Sequence, residues 1–307
     1  MRALAGKTAL ITGANAGIGK EVARQLALRP EFERIYLACR NKDRATAARA
    51  ELEATTGRSI FEIIVMDVAD LASVRAGGAA IEGSLDALVM NAGVIGPQSM
   101  GLTADGVTTV FATNVLGHVV LLEGLLAEDR LREVAVFAGS EAVRGVPKLR
   151  MKGPSWASHS TDEFTTVING SYFAGKKADF NLAFGQAKYI GALWMAYLGR
   201  QHPHRRFVTV SPGNTTGTRA ASDLPLPMRI GAKYVMPALG LSHTLDVGAK
   251  RLVDGVTDPT LSSGVFYASA ANTLKGPMVN QADFLPDLAN PAYQDHANEA
   301  IHRFITV

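Results

Sequence analysis

The stretch Thr8-Ala9-Leu10-Ile11-Thr12-Gly13-Ala14-Asn15-Ala16-Gly17-Ile18-Gly19-Lys20-Glu21 decides the fold. Ala9 to Ile11 is a short apolar run of the kind a buried parallel strand makes. Three glycines interrupt it, and the chain resumes at helical spacing from Lys20. A strand that turns straight into a helix aims backbone N–H groups and the positive helix end at one point, which suits a phosphate. Gly13 permits the tight turn, Gly17 lets a pyrophosphate approach the backbone, and Gly19 lets the helix sit close to the strand. Asn15, Ala16, Ile18 and Lys20 complete this candidate cradle. Its glycine spacing, three residues and then one, is not G-x-G-x-x-G.

Working outward, strand-like and helix-like stretches alternate. Further strands are expected at 34–39, 59–66, 86–90, 133–138, 206–210 and 264–268, with helices at 42–55, 70–81, 103–126 and 179–199. Such alternation implies a parallel sheet covered on both faces, and right-handed crossovers make it doubly wound. The expected class is therefore α/β, a single doubly wound domain over 1–307 with a seven-stranded parallel sheet. Two stretches break the pattern. Residues 141–177 dissolve into Gly, Pro, Ser and Thr, as an insertion or functional loop does. Residues 220–241 mix prolines with Leu224, Leu226, Met228, Ile230, Tyr234, Val235 and Met236, as a greasy substrate lid would. In a doubly wound sheet ligands sit at the carboxyl ends of the strands. There fall the glycine turn, Arg40, Asp67-Val68, Asn91-Ala92-Gly93, Ser140 and Pro212-Gly213.

Composition narrows the function. The 307 residues are 47% hydrophobic and 19% charged, enough for a large core and unlike a disordered chain. The 31 basic and 28 acidic residues are interspersed, so no basic stripe points to nucleic acid. The densest cationic group, Arg144, Lys148, Arg150 and Lys152, reads as a solvated loop or anion-facing edge. The single cysteine, Cys39, forbids an internal disulfide and a Cys-rich zinc site, and the seven histidines have no metal-ligand spacing, so no metal is expected. No apolar signal core opens the chain, and no run approaches the ~20 apolar residues of a membrane helix. A cytoplasmic protein with no integral membrane segment is the expectation.

About 20 residues after the glycines of a dinucleotide site, a carboxylate holds the ribose 2′-OH, whereas an arginine accepts a 2′-phosphate. Cys39 and Arg40 stand there, with no carboxylate before Asp43. Arg40, with Lys20 as a second cation, favours NADP(H).

Taken together, Thr12-Gly13-x-x-x-Gly17-x-Gly19, Asp67-Val68, Asn91-Ala92-Gly93, Asn114, Ser140, Lys188 and Pro212-Gly213 resemble the short-chain dehydrogenase/reductase family over essentially the whole chain. Gly17-Ile18-Gly19-Lys20-Glu21, Tyr36-Leu37-Ala38-Cys39-Arg40, Leu102-Thr103-Ala104-Asp105-Gly106 and Asn114-Val115-Leu116-Gly117-His118 are similar to its retinol dehydrogenase and protochlorophyllide oxidoreductase branch. The resemblance implies a Rossmann-type NADP-binding domain that moves hydride between nicotinamide and a carbonyl or alcohol. It implies a substrate-binding role for Ser140, a water-holding role for Asn114, a ribose-holding role for Lys188, an adenine contact for Asp67 and a carboxamide contact for Thr216. It leaves homodimer, homotetramer and monomer open.

The family's catalytic helix carries Tyr-x-x-x-Lys, placing both side chains on one helix face. Here the matching stretch is Phe184-Gly185-Gln186-Ala187-Lys188: the ring is kept and the hydroxyl is gone. Four readings stand open. Phe184 is a substitution made to trap a complex; or a natural enzyme uses Ser140, a water near Asn114 or another acid; or the chain is a cofactor-binding sensor or scaffold without turnover; or the register is Tyr172-Phe173-Ala174-Gly175-Lys176, upstream in the irregular stretch. The sequence also leaves His118 open, as a core histidine or a proton relay. The lid composition points to a small apolar carbonyl or alcohol substrate.

Overall fold

The computed structural model describes residues 6–147, 151–217, 226 and 230–305. Its strands are β1 (Lys7–Thr12), β2 (Phe32–Cys39), β3 (Phe61–Val65), β4 (Leu85–Met90), β5 (Leu131–Ala138), β6 (Gly145–Val146), β7 (Met151–Lys152), β8 (Arg206–Val210), β9 (Phe266–Ser269) and β10 (Met278–Asn280). The main sheet runs β10-β9-β8-β5-β4-β1-β2-β3, and β6 pairs with β7 alone. From β3 to β9 every neighbour is parallel, in line with the sequence; β10 joins antiparallel, an eighth strand beyond the seven expected. At three residues, β10 is too short to show a periodicity. The order reverses between β1 and β4, which opens the crevice a doubly wound sheet offers to a ligand.

Alternation along each strand divides the core into two layers. Leu10, Leu88, Phe137 and Phe207 face α3 (Leu71–Ala79), α4 (Thr109–Ala127), α6 (Phe180–Gln201) and α8 (Pro291–His302). Ile11, Val89, Val136 and Val208 face α1 (Gly17–Ala27), α2 (Lys42–Thr56) and α7 (Leu245–Thr257). Sequence signals end the helices where local chemistry requires it. The Asp70 carboxylate accepts the N–H groups of Ala72 and Ser73 to start α3. Gly57 closes α2 at φ +68°, a conformation that strains other residues.

Several expectations are corrected. The helix expected from 103 begins at Thr109, because Leu102 bridges Thr108 and closes a small loop first. Helix α4 is also the one described helix long and apolar enough to cross a membrane; 72% of its most apolar stretch is buried inside the fold. The 141–177 stretch contains the β6/β7 hairpin and α5 (Thr161–Ile168). Arg144 is no solvated cation. It is half-buried, donating to Gln281 Oε1 at 2.7 Å and to the carbonyls of Ser269, Ala270 and Thr273. Lys148 and Arg150 lie outside the described residues. Of the expected lid, Leu226, Ile230, Tyr234 and Val235 are exposed, and Leu224 and Met228 lie outside the described residues.

Candidate active site

The glycine turn is built as a cradle. Gly13 and Gly17 have φ of +67° and +54°. A Cβ on Gly19 would meet Asn91 Nδ2 at 2.5 Å and the Gly13 carbonyl oxygen at 2.6 Å, so the close approach there is to the β4 turn and to the cradle itself. Ala16 caps α1 without a side-chain hydrogen bond, so the first turn's N–H groups are left for a ligand. The Cys39 sulfur takes the N–H groups of Ala14 and Asn15, and burial pushes its thiol up to about 11, so it is structural and inert.

Two cations flank the turn. Lys20 pairs with Glu51 of α2, an exposed contact that a phosphate would readily displace. Arg40 follows β2, is exposed, and makes no ion pair among the described residues. Asp67 ends β3's excursion with its Oδ1 accepting the Ala69 N–H at 3.0 Å, and Val68 is buried behind it. A Cβ on Gly117 would strike the Val68 carbonyl, so α4 needs that glycine to reach this strand end.

Thr12, a member of the quoted motif with no role assigned from sequence, organises the β4 turn. Its hydroxyl accepts the N–H groups of Asn91 and Ala92 at 2.9 Å each, while Asn91 Nδ2 donates to the Thr12 carbonyl at 3.0 Å. His118 lies on the far side of Thr12, fully buried. Burial pushes its pKa down to about 3, so it is a neutral core histidine.

Asn114 sits in a π-helical turn, Ala112–Leu116, of the kind that recurs at functional sites. Nδ2 donates to Val94 O and Val110 O at 2.8 Å each, whereas the buried Oδ1 has no partner. A Cβ on Gly93 would lie 2.5 Å from that Oδ1, so a side chain there would press against it. A buried acceptor without a donor costs about 1–3 kcal/mol unless something binds it.

Helix α6 brings Phe184 and Lys188 to the same place. Fourteen of its residues are buried, Lys188 among them, which hides helical periodicity in the sequence. The Lys188 ammonium lies 4.7 Å from the Phe137 ring centre and 5.7 Å from that of Phe184, with no hydrogen-bond partner among the described residues. Burial pulls its pKa down to about 7. Ser140 caps a 3-10 turn: Oγ accepts the Ala142 N–H at 3.2 Å, leaving its own hydrogen to donate. A Cβ on Gly185 would lie 2.8 Å from the Ala142 carbonyl, so α6 is pressed against the Ser140 turn beside Phe184. Tyr172 lies on a separate 3-10 turn, Ser171–Phe173, with the exposed Lys176 ammonium 4.2 Å from its ring centre.

After β8, Gly213 turns at φ +71°. Thr216 donates both its N–H, at 3.0 Å, and its hydroxyl, at 3.2 Å, to the His243 carbonyl, which leaves its oxygen free to accept. Thr215 turns inward to the Pro212 carbonyl at 3.0 Å. Among the described residues no His, Cys, Asp and Glu cluster is arranged for a metal.

These residues fit a nicotinamide dinucleotide: an uncapped helix end, a glycine cradle, a free arginine, an orphaned asparagine oxygen and an unpartnered buried lysine converge at one sheet edge. Residues 7–144 match the short chain dehydrogenase family. The mouse protein named retinol dehydrogenase 11 is 44% identical over 136 residues, 43% of this chain and 41% of that protein. Human retinol dehydrogenase 12 is 40% identical over 152 residues, 47% of each chain. The aligned part thus spans less than half the length of these relatives. In fold, salutaridine reductase from Papaver somniferum superposes with a TM-score of 0.61 at 19% identity, covering 86% of this chain and 100% of that one. An NADPH-bound carbonyl reductase from chicken fatty liver gives 0.56 at 18%, covering 86% and 96%. The similarity to the short chain dehydrogenase family lies in residues 7–144.

Proposed function

We propose that this chain binds NADP(H) and serves carbonyl/alcohol redox chemistry on a small apolar substrate, at a rate limited by Phe184. The observation that carries the reading is Lys188, an ammonium buried without a partner one helical turn from Phe184. Burying a charge unpaired is costly unless a ligand pairs it, and the ribose hydroxyls of a nicotinamide cofactor would do so. Gly13, Gly17 and Gly19 with the α1 end would hold the pyrophosphate. Arg40 and Lys20 would hold the 2′-phosphate, Asp67 and Val68 the adenine, and Thr216 the carboxamide. The cofactor supplies the hydride. Ser140 would donate a hydrogen bond from its hydroxyl to the substrate oxygen, and Asn114 Oδ1 would hold a water.

Reduction of a carbonyl also needs a proton on oxygen, and Phe184 has none to give. General acid catalysis is worth about 10²–10⁴-fold, so binding survives while turnover falls by that order. The same absence favours the second reading, an NADPH-binding sensor or scaffold. The exposed Leu226, Ile230, Tyr234 and Val235 support an apolar substrate. Cytoplasmic residence belongs to the same reading.

The test measures NADPH binding, and NADPH consumption against a panel of apolar aldehydes and ketones, for this chain and for Phe184→Tyr. Binding with turnover raised about 10²-fold or more by the tyrosine supports the oxidoreductase. Binding with no turnover in either form establishes the sensor. Full activity as it stands, lost in Tyr172→Phe, moves the catalytic register to Tyr172.

A further inference from the structure

We propose that the Ser211 hydroxyl, held by Glu141, is a positioning group that clasps the Pro212-Gly213 turn to the Ser140 turn. This rests on the reading of both turns as parts of a cofactor and substrate site. Ser211 directly precedes Pro212 and is 1% exposed; Glu141 directly follows Ser140 and is 3% exposed. Ser211 Oγ donates to Glu141 Oε2 at 2.6 Å and accepts the Gly213 N–H at 3.0 Å. One hydroxyl therefore ties together two strand ends that the sequence separates by 70 residues.

The rest of the cluster holds that carboxylate in place. Glu141 Oε1 accepts the Ser269 N–H of β9 at 3.1 Å. Arg251 of α7, 5% exposed, places Nη1 3.7 Å from Glu141 Oε1 and donates to the Ser211 carbonyl at 3.1 Å. Its Nη2 donates to Ser269 Oγ at 3.1 Å and to the Gly276 carbonyl. Gly213 is pressed onto this cluster, since a Cβ there would lie 2.7 Å from His243 Cδ2 and 3.0 Å from Arg251 Nη1. A buried ion pair adds little net stability compared with an apolar filling of the same volume, whereas a fully satisfied polar network specifies one geometry. The geometry specified here is the spacing between the Ser140 hydroxyl and the Gly213 backbone.

The decisive variant is Ser211→Ala, read by hydrogen exchange at the Gly213 amide and by NADPH affinity in the full chain. Loss of a hydrogen bond worth about 1 kcal/mol corresponds to about fivefold. We expect Gly213 exchange to quicken, and NADPH binding to weaken, by at least that factor. Glu141→Gln leaves one amide oxygen where the Ser211 hydroxyl and the Ser269 N–H each need an acceptor, and removes the charge beside Arg251, so it too should quicken Gly213 exchange. Val208→Ala, a core truncation in β8, the strand that leads into Ser211, should lower the melting temperature without changing either readout. Unchanged Gly213 exchange in Ser211→Ala overturns the clasp. So does equal weakening in Val208→Ala, which reduces the effect to general stability. A parent that binds no NADPH overturns the cofactor reading instead, and the exchange measurement still decides the clasp.

Discussion

Thr12 Oγ1 and His118 Nε2 lie 2.9 Å apart, both side chains fully buried. His118 Nδ1 faces the Asn114 carbonyl at 3.3 Å, an acceptor, so Nδ1 carries the hydrogen and Nε2 receives the Thr12 hydroxyl proton. The histidine thereby turns the Thr12 oxygen lone pairs toward Asn91 and Ala92, and links the cradle strand to the helix that carries Asn114.

The buried His118 sets an acid limit on stability. Its folded pKa is pushed down to about 3, while the unfolded chain titrates near 6.5. Between these values the unfolded state binds the extra proton, so stability is lost as pH falls from about 6.5 toward 3. The urea midpoint of His118→Gln should fall less steeply than the parent's over pH 6.5 to 4. Equal slopes would show that His118 does not stay neutral in the folded state.

Lys188 acts over a different window. Its folded pKa of about 7 lies below the unfolded value near 10.4, so the parent gains stability as pH rises from about 7 to 10. Lys188→Met removes the burial penalty. It should melt above the parent at pH 6, with the gap closing toward pH 10, and it should lose NADPH binding. A methionine variant less stable than the parent at pH 6 would mean that the ammonium has a partner in the folded chain.

On the proposed function, cofactor choice would rest with Arg40. Hydrogen bonds to charged groups contribute about 1.5–3 kcal/mol, so Arg40→Asp should weaken NADPH binding by about 10- to 100-fold and leave NADH binding little changed. Competition titrations with the two cofactors give the answer directly. An equal effect on both would remove Arg40 from the 2′-phosphate site.

Gly19 and Gly124 make a matched pair of alanine substitutions. At Gly19 the new methyl carbon meets a backbone carbonyl at 2.6 Å and cannot fit without opening the turn; NADPH binding should fall at least about tenfold, with a lower melting temperature. At Gly124, on the exposed side of α4, nothing stands within 4 Å. There alanine should stabilise by about 1 kcal/mol through helix propensity. A neutral Gly19→Ala would disprove the tight approach of the cradle to Asn91.

Much of the fold was legible because its signals are local. Apolar runs such as Ala9–Ile11 and 86–90 read as parallel strands, and Gly57 and Asp70 mark helix ends by local chemistry. The short antiparallel β10 and the late start of α4 escaped because neither leaves a periodic trace. Arg144 looked solvated for the same reason: the carbonyls it binds come from residues more than a hundred positions away.

The sequence by itself determined the order of the seven parallel strands, the glycine turn, the cation at Arg40 and the phenylalanine at 184. Tertiary structure alone decided that Lys188 is buried without a hydrogen-bond partner, that Asn114 Oδ1 in its π turn is buried without a donor, and that Ser211 joins two distant turns. Strand and helix periods are set by backbone geometry between near neighbours, whereas desolvation and hydrogen-bond satisfaction depend on which remote segments close over a group.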